Sequence, residues 1–307
     1  MNKLENYQTK YIPTLINLGN HSVLAIIALI AIGSATRVME AGLACPDWPL
    51  CYGTFLPLGH MNMRVFLEWF HRLDAFLVGI LILVQFSLSI IWRRFLPKGL
   101  IKIYSFLLFL VVFQGSLGAL TVINTLASYA VISHLLIAFS LLITATYIIQ
   151  NLQNESSINS KFWWRFLLCI PLILTLIQSA IGVRLSSTWS AHLCLSVNQN
   201  CLILNSHKLF ALPVAISIFA IIIVAAIDRI LFINNWKFLI SLLILLGSQI
   251  TLGVLSLKTN LNQPLLIVSH QLVASLLIAN LSTLVFRNQD KNFNVNSLKK
   301  KVIFSYN

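Results

Sequence analysis

The sequence predicts an all-α integral membrane protein with eight transmembrane helices arranged as two pseudo-symmetric four-helix bundles. Three observations predict it. The chain is 58% hydrophobic and 9% charged, with a mean hydropathy of +0.86, well outside the composition of soluble domains. Crossing a hydrocarbon core about 30 Å thick takes roughly 20 apolar residues in a helix. Such runs recur at about 14–36, 69–92, 103–123, 129–149, 166–186, 205–227, 238–257 and 266–286. Finally, four of the seven histidines form two pairs with identical spacing.

The first run follows Lys3 and Lys10 and is the least apolar, because it carries Asn17, Asn20 and His21. It lacks a small-x-small cleavage pattern and is long enough to span, so it reads as helix 1. Short connections separate the runs and leave no room for a large soluble domain. The stretch from Gln150 to Arg165, with its Asn, Ser and Glu155, is the natural linker between residues 1–152 and 153–307. Fifteen of the 21 Lys and Arg fall on one side of the membrane if the N-terminus is inside. The positive-inside rule then puts both termini in the cytoplasm, and the inner membrane of the cell is the expected location. The net charge of +13 is accounted for by topology, with no need of nucleic-acid binding.

His71 and His134 lie 63 residues apart, as do His207 and His270, and the pairs are offset by 136. The text around them recurs. Ser133–Ala138 (SHLLIA) resembles Ser269–Ala274 (SHQLVA), and His71–Ala75 (HRLDA) resembles His207–Ala211 (HKLFA). Gln114-x-x-x-Gly118 is matched by Gln249-x-x-x-Gly253. Four helices separate equivalent positions, so the two halves are parallel repeats. Gly79, Gly115, Gly118, Gly182, Gly247 and Gly253 are expected to serve ordinary close packing of helices.

Each of the four histidines is expected within two turns of the same membrane face, at similar depth. An ionisable residue inside a membrane span is a functional candidate by default. A single histidine there is explained by an interfacial position, but a symmetric set of four is not. Neutral imidazole is a good iron ligand, and a flat apolar macrocycle suits the space between bundle helices. Zinc or copper would need a third or fourth ligand at that depth in both halves, and none is placed there. The pattern therefore points to haem, one per half, held by His71 with His134 and by His207 with His270. His21, His60 and His192 have no repeat partners and read as structural.

Arg37, Arg72, Arg184 and Lys208 lie near the same ends of their helices, where they either meet haem propionates or snorkel to the interface. Cys45 with Cys51, and Cys194 with Cys201, lie in loops on the outer, oxidising side and read as two disulfides. Each bond either braces a loop over the haem or exchanges electrons with an external thiol. Cys169, alone in helix 5, reads as packing. One asymmetry stands out. Glu68 lies three residues before His71 on the same helical face, whereas the equivalent position is Leu204. A carboxylate at the membrane edge is costly without a partner or a task, so the first half is expected to do chemistry that the second does not.

The segment Gly42–Gly53 (GLACPDWPLCYG) resembles the first-loop signature of the haem A synthase family, and Glu68–Arg72 (EWFHR) its second-helix signature. The resemblance extends over nearly the whole chain. It implies oxidation of the C8 methyl of haem o to the formyl group of haem a, for cytochrome oxidase. It further implies that His71 and His134 hold the substrate haem, that His207 and His270 hold a haem b cofactor, and that Glu68 is the acid/base or positioning carboxylate. A haem o synthase and an electron-transfer partner are the expected associates, together with the lipid bilayer. Methyl-to-aldehyde oxidation proceeds in successive two-electron steps, whose oxidising power comes from iron or dioxygen and not from side chains. A firmly bis-ligated iron has no open position, so either one ligand in the first half is labile or electron removal precedes attack by water. The rival reading is a non-catalytic di-haem membrane cytochrome, which leaves Glu68 and the cysteine loops without a task.

Overall fold

The computed structural model describes residues 3–153, 162–187 and 201–287, and these residues are helical apart from their connections. The helices are α1 (Lys3–Val38), α2 (Met63–Ile91), α3 (Leu100–Ile123), α4 (Ser128–Gln153), α5 (Phe162–Ser187), α6 (Leu202–Ile227), α7 (Arg229–Lys258) and α8 (Pro264–Phe286). All eight are long and apolar enough to cross a membrane, as composition predicts. In hydrocarbon a helix satisfies its backbone groups internally, and apolar side chains facing outward cost nothing. Phe106, Phe109 and Ile244 are accordingly exposed on the protein's surface. Pro13, Pro171 and Pro213 sit inside helices α1, α5 and α6. At Pro171 the carbonyl accepts a 2.6 Å hydrogen bond from the Thr175 hydroxyl.

Helix ends follow local chemistry more than hydropathy. α2 begins six residues before the apolar run because the Asn62 side chain caps it, accepting from the N–H groups of Arg64 and Val65. α7 begins at Arg229, although residues 228–237 read as a connection. Asp228 caps this helix through Ile230 and Leu231. Asn235, which depresses the hydropathy there, is buried and donates to the Leu231 carbonyl.

Within the first half, α1 packs on α2, α2 on α3, α3 on α4 and α4 back on α1, closing a ring; α5 to α8 close a second ring in the same order. The rings meet through α1 with α8, α4 with α5, and α4 with α8. These contacts are unchanged when each helix is exchanged for the one four places along. The repeat is also written in the backbone. Thr125 and Leu126, after α3, have positive φ (46° and 60°), and Asn260 and Leu261, after α7, have 50° and 60°. The Leu126 N–H bonds the Thr121 carbonyl at 2.8 Å, and the Leu261 N–H bonds that of Ser256 at 2.9 Å.

Close helix approach is a specific requirement at Gly19, where a Cβ would lie 2.9 Å from Ile149 Cγ1 on α4. Gly19→Leu should lower stability by about 1–3 kcal/mol through overpacking, read as a reduced thermal midpoint in detergent. Gly247→Ala, which meets nothing within 4 Å, should leave that midpoint unchanged.

Candidate functional site

The histidines occupy α2, α4, α6 and α8, so each pair comes from diagonally opposite corners of its ring. They lie eight, six, five and six residues from their helix starts, or about 12, 9, 7.5 and 9 Å along the axis. His71 is deeper into its helix than expected because α2 starts early.

Across from each imidazole stands a glycine of the preceding helix. A Cβ on Gly33 would come 2.9 Å from His71 Cε1, and one on Gly182 2.9 Å from His207 Cε1. Gly118 faces His134 Cε1 at 3.3 Å and Gly253 faces His270 Cε1 at 3.2 Å. The sequence reading gave Gly118, Gly182 and Gly253 an ordinary packing role and passed over Gly33. Their common position instead makes room for the rings. The rings of His207 and His270 have centroids 6.4 Å apart and planes inclined at 69°. Among the described residues no group of three or more His, Cys, Asp or Glu could hold a metal ion.

Buried polar atoms without partners gather at this level. They include His71 Nδ1, His134 Nδ1, Arg37 Nε and the carboxamide oxygens of Gln114, Gln178 and Gln249. Arg37 lies one helical turn beyond Gly33 on α1. Arg184 and Lys208 are exposed at the same ends of α5 and α6. Gln178-x-x-x-Gly182 is a third copy of the Gln-x-x-x-Gly pattern that the sequence reading missed. Comparing α5 with α3 and α7, and not only half with half, would have revealed it.

Glu68 is 3% exposed, and both its oxygens are engaged. Oε2 accepts the Cys45 N–H at 2.8 Å, and Oε1 pairs with Arg72 Nη2 at 2.5 Å. Arg72 Nη1 donates to the carbonyls of Asp47 (2.6 Å) and Leu50 (2.5 Å). The ion pair therefore clamps the first loop onto α2. Within that loop Cys45 and Cys51 form a disulfide that packs on Val65. Asp47 accepts from the N–H groups of Tyr52 (2.6 Å) and Gly53 (2.8 Å). The Gly53 bond, followed by that from Tyr52, holds the Asp47 carboxyl below the usual carboxylate range. Trp69 Nε1 ties the next stretch down by donating to the Phe55 carbonyl at 2.8 Å.

In the second half the position of Glu68 is taken by Leu204, buried in an apolar cluster with Leu185, against which Cys201, Ile203, Leu257 and Leu261 pack. Cys201 is disulfide-bonded; Cys194 and His192 lie outside the described residues. His21 bonds the Asn17 carbonyl through Nδ1 at 2.7 Å, and His60 stacks on Tyr52. Cys169 packs against the main core as a free thiol.

Glu68→Gln removes the charge from two hydrogen bonds that hold the loop. Bonds to charged groups contribute about 1.5–3 kcal/mol, so the Cys45–Cys51 disulfide should be reduced at least about tenfold faster than in the parent protein. Timed thiol alkylation with mass detection measures this.

A family described as cytochrome oxidase assembly protein (COX15-CtaA) matches residues 18–282. Among curated proteins, a haem A synthase of Shewanella oneidensis is 37% identical over 134 residues, covering 38% of this chain and 39% of the relative. One of Bradyrhizobium diazoefficiens is 27% identical over 195 residues, covering 52% of this chain and 54% of the relative. The match thus spans about half or less of the length of these two relatives. A haem A synthase of Ehrlichia ruminantium is 24% identical over 307 residues, covering 83% of this chain and 88% of the relative. The resemblance read from the first loop and second helix is upheld. With two histidine-bearing helix rings in the membrane and a family match across most of its length, the chain belongs to the COX15-CtaA family of cytochrome oxidase assembly proteins.

Proposed function

We propose that this protein is a haem A synthase, an oxidoreductase that converts the C8 methyl of haem o to a formyl group. The observation that carries the reading is the pairing of half-buried imidazoles across each ring, with a glycine opposite every one of them. A metal–imidazole bond is about 2 Å long, and the ligating nitrogen lies about 1.1 Å from the ring centre. Two imidazoles sharing one metal along an axis therefore place their centres roughly 6.2 Å apart. The 6.4 Å separation of His207 and His270 fits that arrangement. So do the unpartnered polar atoms around the rings, which are costly in hydrocarbon unless a ligand meets them.

In this reading His207 and His270 hold haem b, which supplies one-electron transfer when bound. His71 and His134 hold the substrate haem. Arg37, with its buried unpartnered Nε, is the readiest propionate donor. Arg72 would have to share a guanidinium already given to Glu68 and two carbonyls, while Arg184 and Lys208 reach from exposed positions. Replacing a methyl by a formyl group releases four electrons and four protons when water supplies the oxygen. Glu68, the buried carboxylate one turn from His71, is placed to take up or pass on protons. Arg72 and the Cys45 N–H hold it in one orientation, and the clamped loop shields that end of the first ring from water. Residues 1–152 form the catalytic half and 153–307 the electron-relaying half, in the cell's inner membrane with both termini cytoplasmic. A haem o synthase supplies the substrate, and a separate redox partner accepts the electrons.

Haem extraction from purified protein, with identification by mass, tests the reading. Haem b together with haem o, a hydroxylated derivative or haem a is expected. Haem b alone, in cells that make haem o and gain no haem a, would sink the proposal. Glu68→Ala should abolish haem a formation and leave the second-half haem bound, whereas His207→Ala should lose that haem; equal loss of both haems in Glu68→Ala would instead mark a structural carboxylate. Gly182→Ala pushes a methyl into the His207 ring, so haem b occupancy should fall several-fold while the thermal midpoint stays near the parent value. Gly253→Ala, with its looser 3.2 Å contact, should lose less.

A further inference from the structure

Three of the four imidazoles are anchored by a carboxamide and the fourth is not. One turn from each ring-facing glycine on α3, α5 and α7 stands a glutamine. Gln114 Nε2 lies 3.2 Å from His134 Nε2. Gln178 Nε2 lies 3.2 Å from His207 Nδ1 and donates to the His207 carbonyl at 2.8 Å. Gln249 Nε2 lies 3.1 Å from His270 Nε2, and its backbone carbonyl meets His270 Nδ1 at 3.1 Å. Each carboxamide oxygen is buried without a partner. Such a group is disfavoured in an apolar bundle, yet it recurs in three helices at the same place relative to a histidine.

On α1 the corresponding residue, four before Gly33, is Leu29, which packs into the apolar core. Whichever way a carboxamide is turned, it offers a ring nitrogen a hydrogen bond; leucine offers none. His71 Nδ1 is buried and unpartnered, and among the described residues His71 makes no hydrogen bond. Its ring lies against Gly33. The outer partner of a ligating imidazole fixes its orientation and strengthens its hold on the metal. Rotation of His71 breaks no hydrogen bond, while rotation of the other three rings breaks at least one.

We propose that Gln114 and Gln178 are positioning residues that lock His134 and His207, that the Gln249 backbone carbonyl holds His270 through Nδ1, and that Leu29 leaves His71 as the one imidazole able to leave its ligand position. The inference rests on the haem-binding reading above and assigns the opening coordination site to the catalytic half, on the side of the ring next to Glu68. A locked second half would keep its iron closed to small ligands and confine it to electron transfer.

Carbon monoxide binding to the dithionite-reduced, haem-loaded protein tests it, because the gas takes only an open axial position. The two haems are told apart by repeating the titration in His207→Ala, which retains only the first-half haem. The parent should bind the gas at the first-half haem alone. Leu29→Gln should weaken that binding at least tenfold, with retention of haem b showing that the variant is folded. Independently, Gln178→Leu should make the second-half haem reactive to the gas. Unchanged binding in Leu29→Gln, or a second-half haem that stays closed in Gln178→Leu, overturns the inference while leaving the haem-binding reading intact. Protein that takes up no haem in its first half overturns both.

Discussion

A polar ring inside a membrane bundle needs space and partners at once, and the architecture follows from supplying both. The space comes from glycine. At Gly33, Gly118, Gly182 and Gly253 the facing helix has no side chain, and the imidazole lies against bare backbone. This contact sets how near α1 comes to α2, α3 to α4, α5 to α6 and α7 to α8, and so sets the width of each ring at the level of its histidines. Elsewhere along those helices large apolar residues such as Ile26, Ile82, Phe139 and Leu242 fill the interior. The rings thus have a dense floor below a level that holds four nitrogen-bearing side chains and several unsatisfied polar atoms.

Above that level the two halves diverge, and one substitution organises the divergence. With Glu68 on α2, a carboxylate must be neutralised near the hydrocarbon, which recruits Arg72 one turn away. Arg72 in turn draws down the Asp47 and Leu50 carbonyls, so the disulfide loop becomes part of the same unit as the carboxylate. With Leu204 in its place, α6 meets Leu185 and a purely apolar cluster. Leu204 itself carries no charge to neutralise. The carboxylate and the loop geometry are therefore coupled in the first half, while the described residues around Leu204 pack as an apolar cluster.

Much of this was legible in the sequence, for identifiable reasons. Eight spans follow from residue-by-residue solvation, and the duplication follows from two histidine spacings, because both are properties of the chain alone. The start of α7 was not legible, since Asn235 lowers the local hydropathy while its amide is satisfied by Leu231 in the fold. The role of the glycines was hidden because a glycine's meaning depends on what faces it, and that partner lies 16 to 38 residues away in the chain. Gln178 escaped because the histidines were compared half with half, whereas the Gln-x-x-x-Gly pattern repeats every other helix. Glu68 was singled out by its broken symmetry, but its attachment to the Cys45 N–H is a contact across 23 residues that no local pattern announces.

The contacts between the rings are preserved when every helix is exchanged for its counterpart: α1 with α8 becomes α5 with α4, and α4 with α8 maps onto itself. In oligomers that is the signature of an isologous face, in which one patch meets its own copy about a two-fold axis. A four-helix chain half this length, carrying the α4 surface, would find in a second copy of itself what α4 now finds in α8. Fusion of two such chains frees each copy to vary alone. A homodimer could not place a glutamate at one ring and a leucine at the other, and this chain does.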